Sequence, residues 1–236
     1  SLEGRTYLLY GRSNGYPALI MLTNTWLDGT NGIIIAGANP SQASGFSVSS
    51  AGDVNGDGLA DLLVGAPLND SEGLQDAGKT YLVYGRSNGL PASIVLTSEW
   101  LNGTNGIVLA GARTFDESGY SVSSAGDVNG DGLADLLIGA YKADPSGRFQ
   151  AGETYLVYGR SSGLPSLITL TNTWLDGTNG VLLAGTKTED YCGYSVKSAG
   201  DVNGDGLADL LVGAHQADPS GRREAGETYL VYGRSN

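Results

Sequence analysis

A unit of 74 residues recurs along the chain and restricts the folds that the chain can adopt. The motif Thr-Tyr-Leu-(Leu/Val)-Tyr-Gly-Arg-Ser starts, at this constant spacing, at Thr6, Thr80, Thr154 and Thr228. In the same register a tryptophan precedes Leu-(Asp/Asn)-Gly-Thr-Asn-Gly, at Trp26, Trp100 and Trp174. Regular repeats of this kind predict a modular fold whose units pack against their neighbours. The chain therefore holds three full repeats and a fourth copy of one segment.

Within one repeat, four short segments have the residue content of β-strands. They are 119–126, 134–140, 153–158 and 180–185, each bounded by Gly, Asn, Asp or Pro. Four strands per repeat describe a propeller blade, and no repeat has the sustained helical period of a helical array. We interpret 93–97 as a loop, although its apolar and polar residues alternate. The predicted fold is all-β, a β-propeller of four-stranded antiparallel blades with three repeats per chain.

The predicted domain organisation is a single repeat array over 1–236. Its blade repeats are approximately 1–44 (partial), 45–118, 119–192 and 193–236 (partial). No apolar run approaches the roughly 20 residues of a membrane helix, and no signal-peptide pattern begins the sequence. We therefore expect no membrane insertion. The lone Cys192 permits no intrachain disulfide and is expected to be a packed thiol.

The charge balance disfavours nucleic acid as a partner. The chain has 25 acidic and 13 basic side chains, a formal net charge of −12. A phosphate backbone or an anionic membrane would be repelled by such a surface. Bound cations would reduce this charge, and the distribution of the acidic residues fits that interpretation.

Each repeat contains an acidic loop with the spacing of a calcium site. Side-chain oxygens stand at positions 1, 3, 5 and 9 of the loop, glycine at position 6 permits a sharp turn, and leucine at position 7 can offer its carbonyl. Calcium takes about six to eight oxygen ligands in flexible geometry, whereas magnesium demands a compact octahedron. We predict three calcium ions per chain. The candidate ligands are Asp53, Asn55, Asp57, Leu59 and Asp61; Asp127, Asn129, Asp131, Leu133 and Asp135; and Asp201, Asn203, Asp205, Leu207 and Asp209.

Two other interpretations of these loops are weaker. An EF-hand needs a glutamate at position 12, where this chain has Val64, Ile138 and Val212, each inside an apolar strand-like run. The loop should therefore join two strands of a hairpin. An ordinary Asp/Asn turn fits a single copy. Three copies would gather mutually repelling carboxylates three times over without a cation.

The loop and the strand after it resemble a known family. Asp-Val-Asn-Gly-Asp-Gly, with Asp-Leu-Leu-Val-Gly-Ala-Pro up to Pro67, is similar to the FG-GAP repeats of integrin α-chain propellers. The resemblance covers essentially the whole chain, although Tyr141 and His215 replace Pro67 in the later repeats. The Phe-Gly half departs further, as Ser44-Gly45, Ser118-Gly119 and Cys192-Gly193, with the aromatic following at Phe46, Tyr120 and Tyr194.

This resemblance implies a propeller with structural calcium in the hairpin between the first two strands of each blade. It also implies that ligands meet the opposite face, where 38–44, 114–118 and 187–192 are candidate loops. Propellers of that family close with seven blades, more than this chain supplies. Because strands at both ends would have unpaired edges, we predict a homodimer of roughly six blades that shares strands between chains. The alternative is a fragment of a larger propeller.

The sequence favours a binding or adhesion module over an enzyme. The only histidine, His215, is not repeated, and Asp28, Asp176, Glu153 and Glu227 are weak candidates for a hydrolytic carboxylate pair. A multivalent lectin is the alternative, in which the three tryptophans stack on sugars instead of packing between blades. We expect a protein or glycan ligand and an extracellular or cell-surface location, where weak all-oxygen sites fill with calcium.

Overall fold

The computed structural model describes residues 4–235 and is built of β-strands. The outer bounds 1 and 236 of the predicted array lie outside the described residues. The strands are β1 (Arg5–Leu9), β2 (Gly32–Gly37), β3 (Ser47–Gly52), β4 (Asp61–Ala66), β5 (Lys79–Val83), β6 (Ser93–Leu96), β7 (Gly106–Ala110), β8 (Ser121–Gly126), β9 (Asp135–Ala140), β10 (Glu153–Val157), β11 (Leu167–Thr169), β12 (Gly180–Ala184), β13 (Cys192–Gly200), β14 (Asp209–Ala214) and β15 (Glu227–Val231). Short 3₁₀ turns at Pro145–Gly147 and Pro219–Gly221 are the helical segments of this part of the chain.

Four sheets in residues 4–235 correspond to the repeats. The second complete repeat forms the sheet β12-β10-β9-β8, all antiparallel, and its strands agree with the four predicted segments to within two residues at each end. The first complete repeat forms the sheet β11-β7-β5-β4-β3, together with β11 from the following repeat. The other sheets are β1-β2-β6 and β13-β14-β15. We call these sheets blades 0 to 3 in chain order, starting from β1-β2-β6; no strand pairing joins blade 0 to blade 3 within the described residues.

The interpretation of 93–97 as a loop was wrong. Ser93–Leu96 is strand β6, and it pairs in parallel with β2 of the preceding blade. Strand β11 pairs in the same way with β7. Each of these segments follows the third strand of its own repeat and adds an outer strand to the blade before it, as the third strand of blade 0 and the fifth strand of blade 1. The complete blade is thus larger than the predicted four-stranded unit.

The hydrophobic core lies between neighbouring blades. Tyr155 and Leu136 are buried in one cluster with residues of blade 1, such as Leu63 and Ile107. The blades approach so closely that a β-carbon on Gly139 would lie 2.0 Å from the carbonyl oxygen of Gly193 in the next blade. This repeated contact fixes the inner strands side by side. No helix of residues 4–235 is long and apolar enough to cross a membrane.

Candidate calcium loops and the aromatic face

The three acidic loops lie where the sequence predicts them, between the first and second strands of a blade. They connect β3 to β4, β8 to β9, and β13 to β14. The alternating strands bring the chain to one edge of the sheet, and the Asn-Gly and Asp-Gly pairs reverse its direction. All three loops therefore lie at the same end of their respective blades.

The backbone of each loop folds around its first aspartate. In the second loop, the N–H groups of Gly130 and Asp131 donate to Asp127 Oδ1 at 2.7 and 3.2 Å, and the N–H of Gly132 donates to Oδ2 at 2.8 Å. Gly132 has a φ of 85°, a left-handed conformation that favours glycine. The same bonds recur in the first and third loops. The predicted sharp turn at position 6 is confirmed.

The aspartate at position 9 faces the sheet. Asp135 is buried and accepts hydrogen bonds from the N–H groups of Val128 and Gly159, both at 2.9 Å. The pKa of Asp135 is raised to about 7, chiefly by burial and also by the nearby carboxylates of Asp131 and Asp127, against the lowering effect of these hydrogen bonds. Negative charge is therefore concentrated where little water can screen it.

The first and third loops show opposite effects on the pKa of an aspartate. The pKa of Asp61 is raised to about 6, chiefly by burial, with contributions from two neighbouring loop carboxylates. By contrast, the N–H of Gly206 and further backbone donors lower the pKa of exposed Asp201. Burial thus disfavours the ionised form of Asp61, whereas backbone donors favour the ionised form of Asp201.

The donor chemistry of the loops fits a hard divalent cation. Their side-chain donors are carboxylate and amide oxygens, which calcium prefers, without sulfur or imidazole. Within residues 4–235, no three His, Cys, Asp or Glu side chains already converge as a metal cluster. In each loop, position 3 is an asparagine, and the position-9 carboxylate is hydrogen-bonded to backbone. The second loop shows this arrangement in Asn129 and Asp135. The predicted ligands are therefore gathered in one loop, and their coordination of calcium is a proposal.

A row of aromatic rings crosses the opposite end of the blades. Phe46 and Tyr120 immediately precede the inner strands β3 and β8, and Tyr194 lies near the start of β13; the ring centroids are 4.7 Å and 5.0 Å apart in succession. Tyr141 lies 4.2 Å from Tyr120, and His215 lies 3.9 Å from Tyr194. Phe46 is 54% exposed and Tyr194 is 36% exposed. We call this set, with Tyr191, the aromatic face. The sequence contains each residue, but the contact between them comes from the packing of blades.

The predicted ligand-facing loops adjoin the aromatic face. Tyr191, from 187–192, lies 5.7 Å from Tyr141 and 5.5 Å from His215. Glu117, from 114–118, accepts a 2.6 Å hydrogen bond from Lys142, whose Nζ lies 5.4 Å from the centroid of the Tyr141 ring. Two of the three candidate loops therefore lie beside the exposed rings.

A buried acidic pair next to this face was not predicted. Arg113 donates to both carboxylate oxygens of Glu153, at 3.1 and 3.0 Å, and lies 3.8 Å from Asp116. Asp116 is buried, and its Oδ2 has no hydrogen-bond partner. Burial and the charge of Glu153 raise the pKa of Asp116 to about 7, against the opposing effect of Arg113. In the other two repeats, the position of Asp116 is occupied by Gln42 and by Asp190.

The candidate catalytic carboxylates have structural partners. Glu153 is bonded to Arg113 and to the hydroxyl of Tyr155, and Glu227 accepts from the hydroxyl of Tyr229 at 2.6 Å. Asp28 and Asp176 each accept from two backbone N–H groups of their own turns. Each of these four carboxylates is therefore hydrogen-bonded to its own separate set of partners. Among the tryptophans, Trp100 and Trp174 pack partly buried against the core, as the packing interpretation expects.

Comparison with known proteins agrees with the repeat. A family model described as FG-GAP repeat matches residues 44–83, 118–157 and 193–231, about half of the chain. The chain is 31% identical over 182 residues to integrin alpha-5 of Xenopus laevis, covering 74% of this chain and 15% of that protein. It is 30% identical over 205 residues to integrin alpha-PS2 of Drosophila melanogaster, covering 84% of this chain and 13% of that protein.

One relative named as an enzyme has a similar sequence identity to the chain. The chain is 30% identical over 192 residues to phosphatidylinositol-glycan-specific phospholipase D of Bos taurus, covering 81% of this chain and 21% of that protein. The chain spans about a fifth or less of the length of these relatives. The repeat thus occurs in proteins of different named activity.

Proposed function

Because the chain belongs to the FG-GAP repeat family, we propose that it is a calcium-stabilised, non-catalytic β-propeller module that binds partners outside the cell or at its surface. The observation that carries the proposal is the threefold acidic loop, with the same backbone arrangement around Asp53, Asp127 and Asp201. A loop repeated so closely supports a shared ligand. The similarity to integrin α chains supports an adhesion-type role.

In this proposal each loop holds one calcium ion through the predicted oxygens of positions 1, 3, 5 and 9 and the carbonyl of position 7. A bound cation would neutralise carboxylates that the fold brings together. It would also hold the hairpin between the first two strands closed. The role is structural, and the four carboxylates weighed above as catalytic already have structural partners.

The aromatic face is the proposed binding surface. Its rings are partly exposed, lie beside two loops that vary between repeats, and combine apolar area with hydroxyl groups. Such surfaces suit protein contacts, since tyrosine offers both an apolar body and a polar tip. We expect Tyr120→Ser to reduce attachment of cells to the immobilised chain while leaving its melting temperature in calcium within a few degrees. Unchanged attachment by this variant would place binding elsewhere.

The calcium proposal is tested by calorimetric titration together with thermal unfolding. We expect three calcium ions per chain and a stabilisation of about 3 kcal/mol for each bound ion at a free concentration of about a hundred times Kd. Asp127→Asn should remove one ion from the stoichiometry and lower the melting temperature in calcium. Asp28→Asn, at an exposed turn outside the loops, is the matched control. Equal melting in calcium and in excess chelator would refute the proposal.

We also propose that a second copy of the chain completes the ring. The four sheets leave strand edges open at blade 0 and blade 3 within the described residues. Open edges of this kind pair readily with another chain. The dimer is independent of the calcium proposal, because mass in solution measures it directly.

A further inference from the structure

Neighbouring acidic loops are joined directly by backbone hydrogen bonds. Ala134 N–H, in the second loop, donates to the carbonyl of Asp53 in the first loop at 2.9 Å. The same bond joins the second and third loops, where Ala208 N–H donates to the carbonyl of Asp127 at 2.8 Å. In both cases the acceptor is the first residue of one loop and the donor is the eighth residue of the next loop. Each of the first two loops is therefore tied, at its first aspartate, to the loop of the following blade.

A second connection between the first two loops is made by two successive residues that follow β10. Gly159 N–H donates to Asp135 Oδ1 at 2.9 Å, and Arg160 N–H donates to the carbonyl of Val54 in the first loop at 2.9 Å. Val54 N–H in turn donates to Asp61 Oδ2 at 3.0 Å. We call the two residues that follow β10 the first bridge. The first bridge links the aspartates at position 9 of the two loops.

The second and third loops are connected in the same way. Gly233 N–H donates to Asp209 Oδ1 at 3.0 Å, and Arg234 N–H donates to the carbonyl of Val128 in the second loop at 2.8 Å. Val128 N–H donates to Asp135 Oδ2 at 2.9 Å. We call Gly233 and Arg234 the second bridge. A continuous series of hydrogen bonds thus runs from the third loop through the second loop to the first.

The groups that the bridges hold are shielded from water. Val54 is 1% exposed and Val128 is 3% exposed, and the aspartates at position 9 are buried in all three loops. A hydrogen bond that breaks in such surroundings leaves a buried carbonyl or carboxylate without a partner, because water cannot take the place of the donor. Loss of order in one loop would therefore withdraw the donors on which the preceding loop depends.

We propose that calcium binding at neighbouring loops is positively coupled and that the two bridges carry the coupling. The inference rests on the calcium sites of the proposed function. A loop without an ion holds mutually repelling carboxylates, whereas a bound ion orders the loop together with the donors that reach its neighbour. The next ion then enters a loop that is already ordered, so its binding loses less conformational entropy. Because coupling is reciprocal, each of two neighbouring loops favours binding at the other by the same factor.

The sign of the coupling distinguishes the bridges from simple charge repulsion. Two bound divalent cations repel each other, so electrostatics alone predicts that an ion in one loop weakens binding at the next. In Asp127→Asn the empty second loop is more negative than the loaded wild-type loop, because two carboxylates alone outweigh three carboxylates with a divalent cation. Electrostatics therefore predicts tighter calcium binding at the neighbours of this variant loop. The bridges predict weaker binding there.

The test follows each loop separately by hydrogen exchange of the full chain, as a function of free calcium concentration at constant ionic strength. Peptides 53–61 and 201–209 report on the first and third loops, on either side of the second. We expect Asp127→Asn to raise the calcium concentration at half-protection of both peptides by about fivefold or more. An unchanged or lowered midpoint in either peptide would overturn the coupling.

Alanine at the glycine of a bridge tests whether that bridge carries the coupling. A β-carbon on Gly159 would lie 2.9 Å from the carbonyl oxygen of Val54, so alanine there forces the first two loops apart. In the Gly159→Ala background, Asp127→Asn should no longer shift the midpoint of the first loop, while the shift in the third loop remains. Gly233→Ala is the matched variant, because its β-carbon would lie 3.0 Å from the carbonyl oxygen of Val128. It should abolish the shift in the third loop and keep the shift in the first.

The outcomes separate the coupling from the calcium sites themselves. If calcium changes protection in none of the three loops, the proposed sites are wrong and the coupling falls with them. If calcium protects the wild-type loops but the bridge variants leave the shifts caused by Asp127→Asn unchanged, the sites stand and the role of the bridges is refuted. Circular dichroism in saturating calcium checks that each variant is folded, and either bridge variant alone is sufficient for the comparison.

Discussion

At Asp116 the fold buries a carboxylate whose Oδ2 has no hydrogen-bond partner. Its pKa is raised to about 7, mainly by burial, whereas an aspartate in an unfolded chain titrates near about 3.9. Below about pH 4 both states hold the proton. As pH rises toward about 7, the unfolded chain has released its proton while the folded chain still keeps it, so this group contributes stability at low pH that is lost on the way to neutral pH.

Asp116→Asn should therefore stabilise the chain at neutral pH. We expect a gain between about 1 and 4 kcal/mol at pH 8 that disappears below about pH 4, measured by urea unfolding in saturating calcium. Gln42, an amide at the same position of the repeat, shows that the site accepts such a side chain. Asp176→Asn is the control, because backbone N–H groups of Asn179 and Thr178 lower the pKa of that exposed carboxyl. A gain that is equal at pH 4 and pH 8 would contradict the explanation.

Residue identities in the loops could be predicted from sequence, whereas side-chain directions could not. Spacing alone indicated the turn at Gly132 and the position of the loop between two strands. The direction of Asp135 depends on the N–H of Gly159, which lies 24 residues away, just after the end of the next strand, β10. The unpaired position of Asp116 depends likewise on Glu153. Contacts between residues this far apart in sequence are set by tertiary packing, so they cannot be predicted from a local motif.

At the scale of the strand, glycine sets how closely two blades approach. A β-carbon on Gly139 would meet the carbonyl oxygen of Gly193 at 2.0 Å and Ser121 Oγ at 2.3 Å. A contact with backbone can be relieved only by moving the blades apart, and overpacking of this kind costs typically about 1 to 3 kcal/mol. We expect Gly139→Ala to lower the free energy of unfolding by that amount or more.

The matched control for this substitution is Gly11→Ala. A β-carbon on Gly11 meets nothing within 4 Å, so alanine there should be neutral or slightly stabilising. Urea unfolding in calcium measures both variants under the same conditions. If Gly139→Ala unfolds at the wild-type denaturant concentration, the close approach of blades 2 and 3 is not present in solution.

Strands that pair within a repeat were predictable, and the strand that pairs between repeats was not. Four segments per repeat are recognisable as apolar runs between turn residues, and in the second complete repeat all four are strands in the structure. Strand β6 has only four residues, with alternate burial, and its partner β2 belongs to the preceding repeat. Its period-two pattern is too short to separate from a loop without knowing the partner. The missed strand is also the one that shows how repeats are joined.

For the whole molecule, closure of the ring depends on surfaces that the internal blades bury. Val202, in the third acidic loop, is 53% exposed, whereas Val128 at the same position of the second loop is 3% exposed. The carbonyl of Val128 accepts from Arg234 N–H at 2.8 Å, and that of Val54 accepts from Arg160 at 2.9 Å. Each of these two loops is thus fastened by the next blade.

Hydrogen exchange at two protein concentrations would locate this closure in the molecule. Amides in β15, the edge strand of blade 3, are expected to gain protection as concentration rises through the Kd of the proposed dimer, because a second copy would pair their free edge. Peptides covering β9, which is paired on both sides within its blade, should not change. Calcium is held saturating, so that loop ordering stays constant. Protection of β15 that is the same at both concentrations, in samples whose mass doubles, would show that the copies meet through another surface.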